Sequence, residues 1–172
     1  MNGNVFVFRC TKKLLHRLPE SVAQATEQAT STTRMGDWTG NLLFLARQQI
    51  VLGVNNKTLL PVLLPIAPNK AFLARFTEAA GEMLMALGID RTKVLSEMVA
   101  MNECFVAPTN DRRVLGTMND FGRMLEGYLD GRPLPEVALH LAEAPCSPIG
   151  MRNPRDVTRE LFAAPGLRLV RG

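Results

Sequence analysis

Cysteine is scarce and dispersed, with only Cys10, Cys104 and Cys146 in a chain of 172 residues. Thiols spaced so widely form neither a disulfide framework nor a paired-cysteine zinc site, and they read as the reduced thiols of a cytoplasmic protein. Histidine is rarer still, His16 and His140, and neither has a cysteine or carboxylate at ligand spacing, which argues against zinc. No glycine-rich phosphate loop and no nucleophile elbow is present, so the sequence calls for no cofactor and shows no legible catalytic triad. No apolar run reaches the ~18 residues of a membrane span, and no basic stretch followed by an apolar one opens the chain, so no membrane association is expected. Aromatics make up 6%, and only Trp38 and Tyr128 carry a polar handle, which argues against a broad base-stacking surface.

What is present is ample for one core. The chain is 47% hydrophobic and 21% charged, a balance that folds, and its length suits a single globular domain over residues 1–172. The formal net charge of +4 sits in the first third, where Arg9, Lys12, Lys13, Arg17, Arg34, Arg47 and Lys57 face only Glu20, Glu27 and Asp37. Basic runs stop at the pairs Lys12-Lys13 and Arg112-Arg113, too short for a stripe that neutralises many phosphates.

The pattern along the chain predicts strands early and helices late. Asn4 to Arg9 suits a strand, and Thr11 offers a cap for a short helix through Leu18. Residues 20–35 are Gln, Thr, Ser and Ala with little to bury and read as a mobile loop. Three apolar runs, 41–47, 49–54 and 58–66, are separated by short polar breaks and predict hairpins, with Asn55-Asn56 closing a tight turn. Pro61 and Pro65 push the last run to a sheet edge, read here as an exposed one. Apolar residues at three- and four-residue steps then predict a helix over 69–87 and a second capped by Asp90, with Val94, Leu95, Met98 and Met101 inward. A strand at 104–107, an extended piece at 112–115, helices at 117–129 and 133–142, and a last helix begun by Asn153-Pro154 complete the pattern, with a less ordered C-terminal tail. The fold class expected is α+β, an antiparallel sheet of about five strands with helices packed mainly on one face.

Four blocks carry a family resemblance: residues 8–15 (FRCTKKLL), 36–42 (GDWTGNL), 54–59 (VNNKTL) and 109–120 (TNDRRVLGTMND). In their order and content they resemble the recurrent blocks of a family of bacterial and archaeal proteins classed as domain of unknown function 6933. Gly40 and Thr117 stand where that pattern suggests Ala and Ser. The resemblance implies no activity and carries over no catalytic residue.

The same blocks supply the candidate site residues. Asn110 to Arg113 place a carboxylate and two guanidiniums within four positions, and Gly116 to Asn119 read as a helix entry whose free N–H groups would welcome an anion. The alternative reading makes Asn110-Asp111 a turn and Thr117 or Asn119 a cap. Thr11 with Lys12 and Lys13 could meet a phosphate or simply cap a helix, and Trp38 could stack on a ring or anchor the core. Two functional readings follow. In the first, Arg9, Lys12, Trp38, Asn41, Asn55, Arg112, Arg113, Asn119 and Asp120 gather at the strand ends as a site for a phosphate-bearing ligand such as RNA or a nucleotide. In the second, nine methionines and the proline-bearing strand mark a protein-interaction module or homo-oligomer without catalytic activity. A third and weaker reading is metal-dependent phosphodiester hydrolysis on Asp111 or Asp120.

Overall fold

The computed structural model describes residues 3–163. Its strands β1 (Phe6–Cys10), β2 (Trp38–Leu45), β3 (Gln48–Asn55), β4 (Pro61–Pro65) and β5 (Cys104–Pro108) form one sheet in the order β4-β3-β2-β1-β5. Among the described residues, six α-helices accompany the sheet: α1 (Lys12–Leu15), α2 (Phe72–Ala86), α3 (Arg91–Ala100), α4 (Arg112–Tyr128), α5 (Leu134–Leu141) and α6 (Pro154–Ala163).

The sheet is mixed, where the sequence pattern suggested a purely antiparallel one. β2, β3 and β4 are joined by short turns and pair antiparallel, whereas β1 pairs parallel with both β2 and β5. The reason lies in the connections: a short turn can only reverse the chain, while residues 11–37 and the long path to β5 are crossovers that bring the chain back in the same direction. Cover is also two-sided. Ile50 to Asn55 are six consecutive buried residues, and because neighbours on a strand point to opposite faces, both faces of β3 are covered.

The turn between β2 and β3 is Ala46-Arg47, both at positive φ (48° and 63°), the geometry that matches the twist of a two-residue hairpin. The next turn departs from expectation. Asn55 builds it with its side chain, its Oδ1 accepting from the N–H groups of Lys57 and Thr58 at 3.0 Å each, and the positive φ falls on Leu59 (62°) instead of on an asparagine. The prolines do place β4 at an edge, but Pro61 to Leu64 are buried because α5 and α2 pack on that strand. The exposed edge expected from the prolines is therefore a covered one.

α2 carries the main aromatic contact. Phe76 stacks near Phe6 (centroids 6.3 Å) and meets Phe8 and Trp38 edge-on at 4.6 and 5.3 Å. Gly40 and Gly53 stand directly opposite each other on β2 and β3 and form the floor beneath: a Cβ on Gly53 would run into the Phe76 ring, and one on Gly40 into Phe8 and Leu14. α3 is capped by Asp90 as predicted, and α6 starts at Pro154 with Asn153 Oδ1 accepting from the Asp156 N–H at 2.8 Å.

Two further expectations change. Residues 112–115 are the first turn of α4, not an extended piece, because Asp111 caps the helix six residues before Thr117. In α3, Val94 and Met101 face inward but Leu95 is 45% exposed. Residues 20–35 run from α1 toward β2 and bond along the way: Ala25 N–H to Val106 O at 2.8 Å, Val106 N–H to Ala23 O at 2.9 Å, and Thr32 N–H to Val5 O at 2.8 Å. The tail at 164–172 lies outside the described residues.

Candidate functional site

The family-like blocks gather around β1 and its neighbours, and their polar groups divide between the interior and solvent. Arg9 is fully buried. Its Nε donates to Asp37 Oδ2 at 2.8 Å, Nη1 to Pro108 O at 3.1 Å and Nη2 to Ala29 O, so one guanidinium ties β1 to β5 and to the crossover leading into β2. Asp37 spends its other oxygen on the Ser31 N–H at 2.8 Å. Asn55, also buried, donates to Met35 O at 3.0 Å while its oxygen organises the turn after β3. Trp38 is buried against Phe76, and its indole N–H has no hydrogen-bond partner among the described residues. Thr11 donates to Asn41 Oδ1 at 2.8 Å, which ties the end of β1 to β2, and that same Asn41 oxygen accepts from the Leu42 N–H.

The remaining candidates face solvent. Lys12, Arg112, Arg113, Asn119 and Asp120 are exposed. Asp120 pairs with Arg123 along α4, and Arg113 folds back on Asp111 at 3.2 Å. Asp111 Oδ1 accepts from the Arg113 and Val114 N–H groups, so the donors at the start of α4 already hold a carboxylate of the chain itself. The structure therefore links Arg9 and Asn55 through Asp37 as an internal node, sets Trp38 against Phe76 on the opposite face of the sheet from Arg9, ties Asn41 to Thr11, and leaves Asn119 and Asp120 exposed on α4.

Burial tends to raise the Asp111 carboxyl, but hydrogen bonds from the Arg113 side chain and backbone, with the arginine's charge, outweigh it and hold the group below its usual value. A depressed folded value stabilises the fold above the unfolded pKa of ~3.9 and loses that contribution as pH falls through the folded one. Asp111→Ala is expected to cost about 1 kcal/mol in urea unfolding at pH 7, with the gap from wild type narrowing as pH falls through the depressed carboxyl value. A gap independent of pH would show that the cap does not act through its charge.

Sequence reasoning missed Asp37 as the Arg9 partner, although it sits inside one of the blocks, and it missed Glu97. That glutamate of α3 is 3% exposed, and its two oxygens accept from the Arg34 and Met35 N–H groups at 3.1 Å each, pinning the approach to β2. Burial raises its carboxyl above the ordinary range despite those bonds. Burial acts on the thiols in the same direction, pushing Cys104 up to about 12 and Cys146 up to about 11, which disfavours the thiolate. Among the described residues, no group of three or more His, Cys, Asp or Glu is placed to hold a metal ion, and no helix is long and apolar enough to cross a membrane.

An apolar concavity lies elsewhere, between α2 and α3. It measures about 670 Å³ and is lined by Leu73, Thr77, Leu95, Met98, Val99 and Met101, with Glu78 on its α2 side. Val99 is 74% exposed and Leu95 45%. None of the nine polar candidates lines it.

A family model described as domain of unknown function (DUF6933) matches residues 7–157. The chain belongs to that family. The DUF6933 match begins in β1 and ends in α6, so it takes in the whole sheet, the internal node and both walls of the α2–α3 groove. No curated protein and no solved structure matches the chain significantly.

Proposed function

We propose that this DUF6933 protein is a protein-interaction module that docks a partner surface on the α2–α3 groove. The observation that carries the reading is the exposed pair Leu95 and Val99, one turn apart on α3 beside a concavity of about 670 Å³. Apolar side chains grouped around a concave face lower the free energy when covered, by about 1.5–3 kcal/mol for each large one fully buried. An amphipathic helix laid between two helices is the usual way to cover such a face. The three free cysteines, two of them buried, suit a reducing compartment.

The test compares wild type with Leu95→Asp/Val99→Asp, both checked for folding by circular dichroism. Light scattering against concentration and affinity capture with partner identification are the readouts. Wild type is expected to associate, and the double variant to bind at least about a hundredfold more weakly. A wild type that stays at monomer mass at every concentration, and captures nothing the variant does not, refutes the reading.

A second reading keeps an anionic ligand such as RNA or a nucleotide. It is favoured by one register: Cys10 on β1 pairs with Pro108 on β5, so Lys12 and Arg112 leave adjacent parallel strands at the same end of the sheet, and both are exposed. Titrating the same wild-type preparation with RNA and nucleotides at low salt, beside Lys12→Ala/Arg112→Ala, decides it; equal affinity in the two removes it.

A further inference from the structure

We infer that the partner on the α2–α3 face is a second copy of this chain, docked with the two α3 helices antiparallel across a two-fold axis. The inference rests on the interaction reading above and adds the occupant and its register.

Leu95 and Val99 lie one turn apart on the same exposed face of α3. A two-fold axis passing midway between them sets Leu95 of each copy against Val99 of the other, which makes the face self-complementary. Arg91 lies a further turn before Leu95, about 9 Å from that midpoint at 1.5 Å per residue. On the other side the groove carries the opposite charge. α2 and α3 run antiparallel, with Gly81 packed on Met98, so Glu78, one turn before Gly81, stands level with Met101, about 6 Å past the midpoint. The two-fold operation therefore brings Arg91 of one copy to the level of Glu78 of the other, twice over, within the reach of an arginine side chain. Among the described residues neither Arg91 nor Glu78 makes an ion pair within its own chain, and both are exposed. An apolar centre flanked by two opposite charges in self-matching order favours this chain over a partner of uniform charge.

The experiment uses the full chain and two charge reversals, Arg91→Glu and Glu78→Arg, studied by analytical ultracentrifugation singly and as an equimolar mixture. Wild type is expected to be a dimer. Each variant alone places like charges across both contacts and is expected to dimerise about tenfold or more less tightly. The mixture makes both contacts attractive again, and a heterodimer of about wild-type affinity is expected. If the single variants dimerise as wild type does, or the mixture associates no better than its components, the register is overturned. If wild type is monomeric at every concentration while a Leu95/Val99-dependent complex with another identified protein forms, the second copy is excluded and the interaction reading survives.

Discussion

Arg9→Met is expected to lower the free energy of unfolding by about 3–5 kcal/mol, the cost of leaving a buried charge partner and two carbonyl oxygens unanswered. Against a domain stability of roughly 5–15 kcal/mol this leaves a marginal fold. The effect is large because one side chain joins three segments: Asp37 at the entry to β2, Pro108 at the end of β5 and Ala29 in the crossover from β1 to β2. The guanidinium fork is the only side chain that can serve three acceptors lying around one plane, so Arg9→Lys is expected to recover only part of the loss. Paired with Asp37→Asn in a double-mutant cycle followed by urea unfolding, the coupling should exceed about 1 kcal/mol. Additive effects of the two changes would show that the pair is incidental, and the internal node would then need another organiser.

Gly53→Ala is expected to destabilise by about 1–3 kcal/mol although it adds a single methyl group, since the added carbon falls on the Phe76 ring and the ring is held by its neighbours. Phe76→Ala opens the opposite fault, a cavity among Phe6, Phe8, Phe72 and Trp38, and is expected to cost about 3–5 kcal/mol. The informative variant is the combination Gly53→Ala/Phe76→Leu. A smaller side chain above makes room for the methyl below, and the double variant is expected to be more stable than the sum of its parts predicts. Thermal unfolding of Gly53→Ala, Phe76→Leu and the double variant checks this, and strict additivity would mean that the glycine is required by its backbone and not by the ring above it.

The secondary elements were legible wherever a local signal carried them. The period of Phe72, Phe76, Ala80, Met83 and Leu84 marks the buried stripe of α2, and Asp90 and Asn153 cap the helices they precede. The start of α4 was misplaced because Asn, Asp, Thr and Gly at 109–119 offer several caps, and only the contact of Asp111 with the Arg113 and Val114 N–H groups selects one. The polar blocks were recognisable as a set. Their role was not, because an arginine that binds a ligand and an arginine that clamps three segments of its own chain look alike until the acceptors are placed around it. Leu95 shows the converse: by periodicity it belongs to the inner face of α3, yet the groove leaves it half exposed.

By itself the sequence determined the α+β class, the antiparallel order of β2 to β4, the helical hairpin of α2 and α3, and the family, since each depends on neighbours in the chain or on residue identity alone. Only the tertiary structure decided that β1 runs parallel to both its neighbours, that β3 is covered on two sides, that Arg9, Trp38 and Asn55 are buried and that Leu95 and Val99 are not. Those outcomes depend on where long crossovers return the chain and on which surfaces are left over once the core is filled. Both are settled by packing between segments far apart in sequence, for which a local pattern carries no signal.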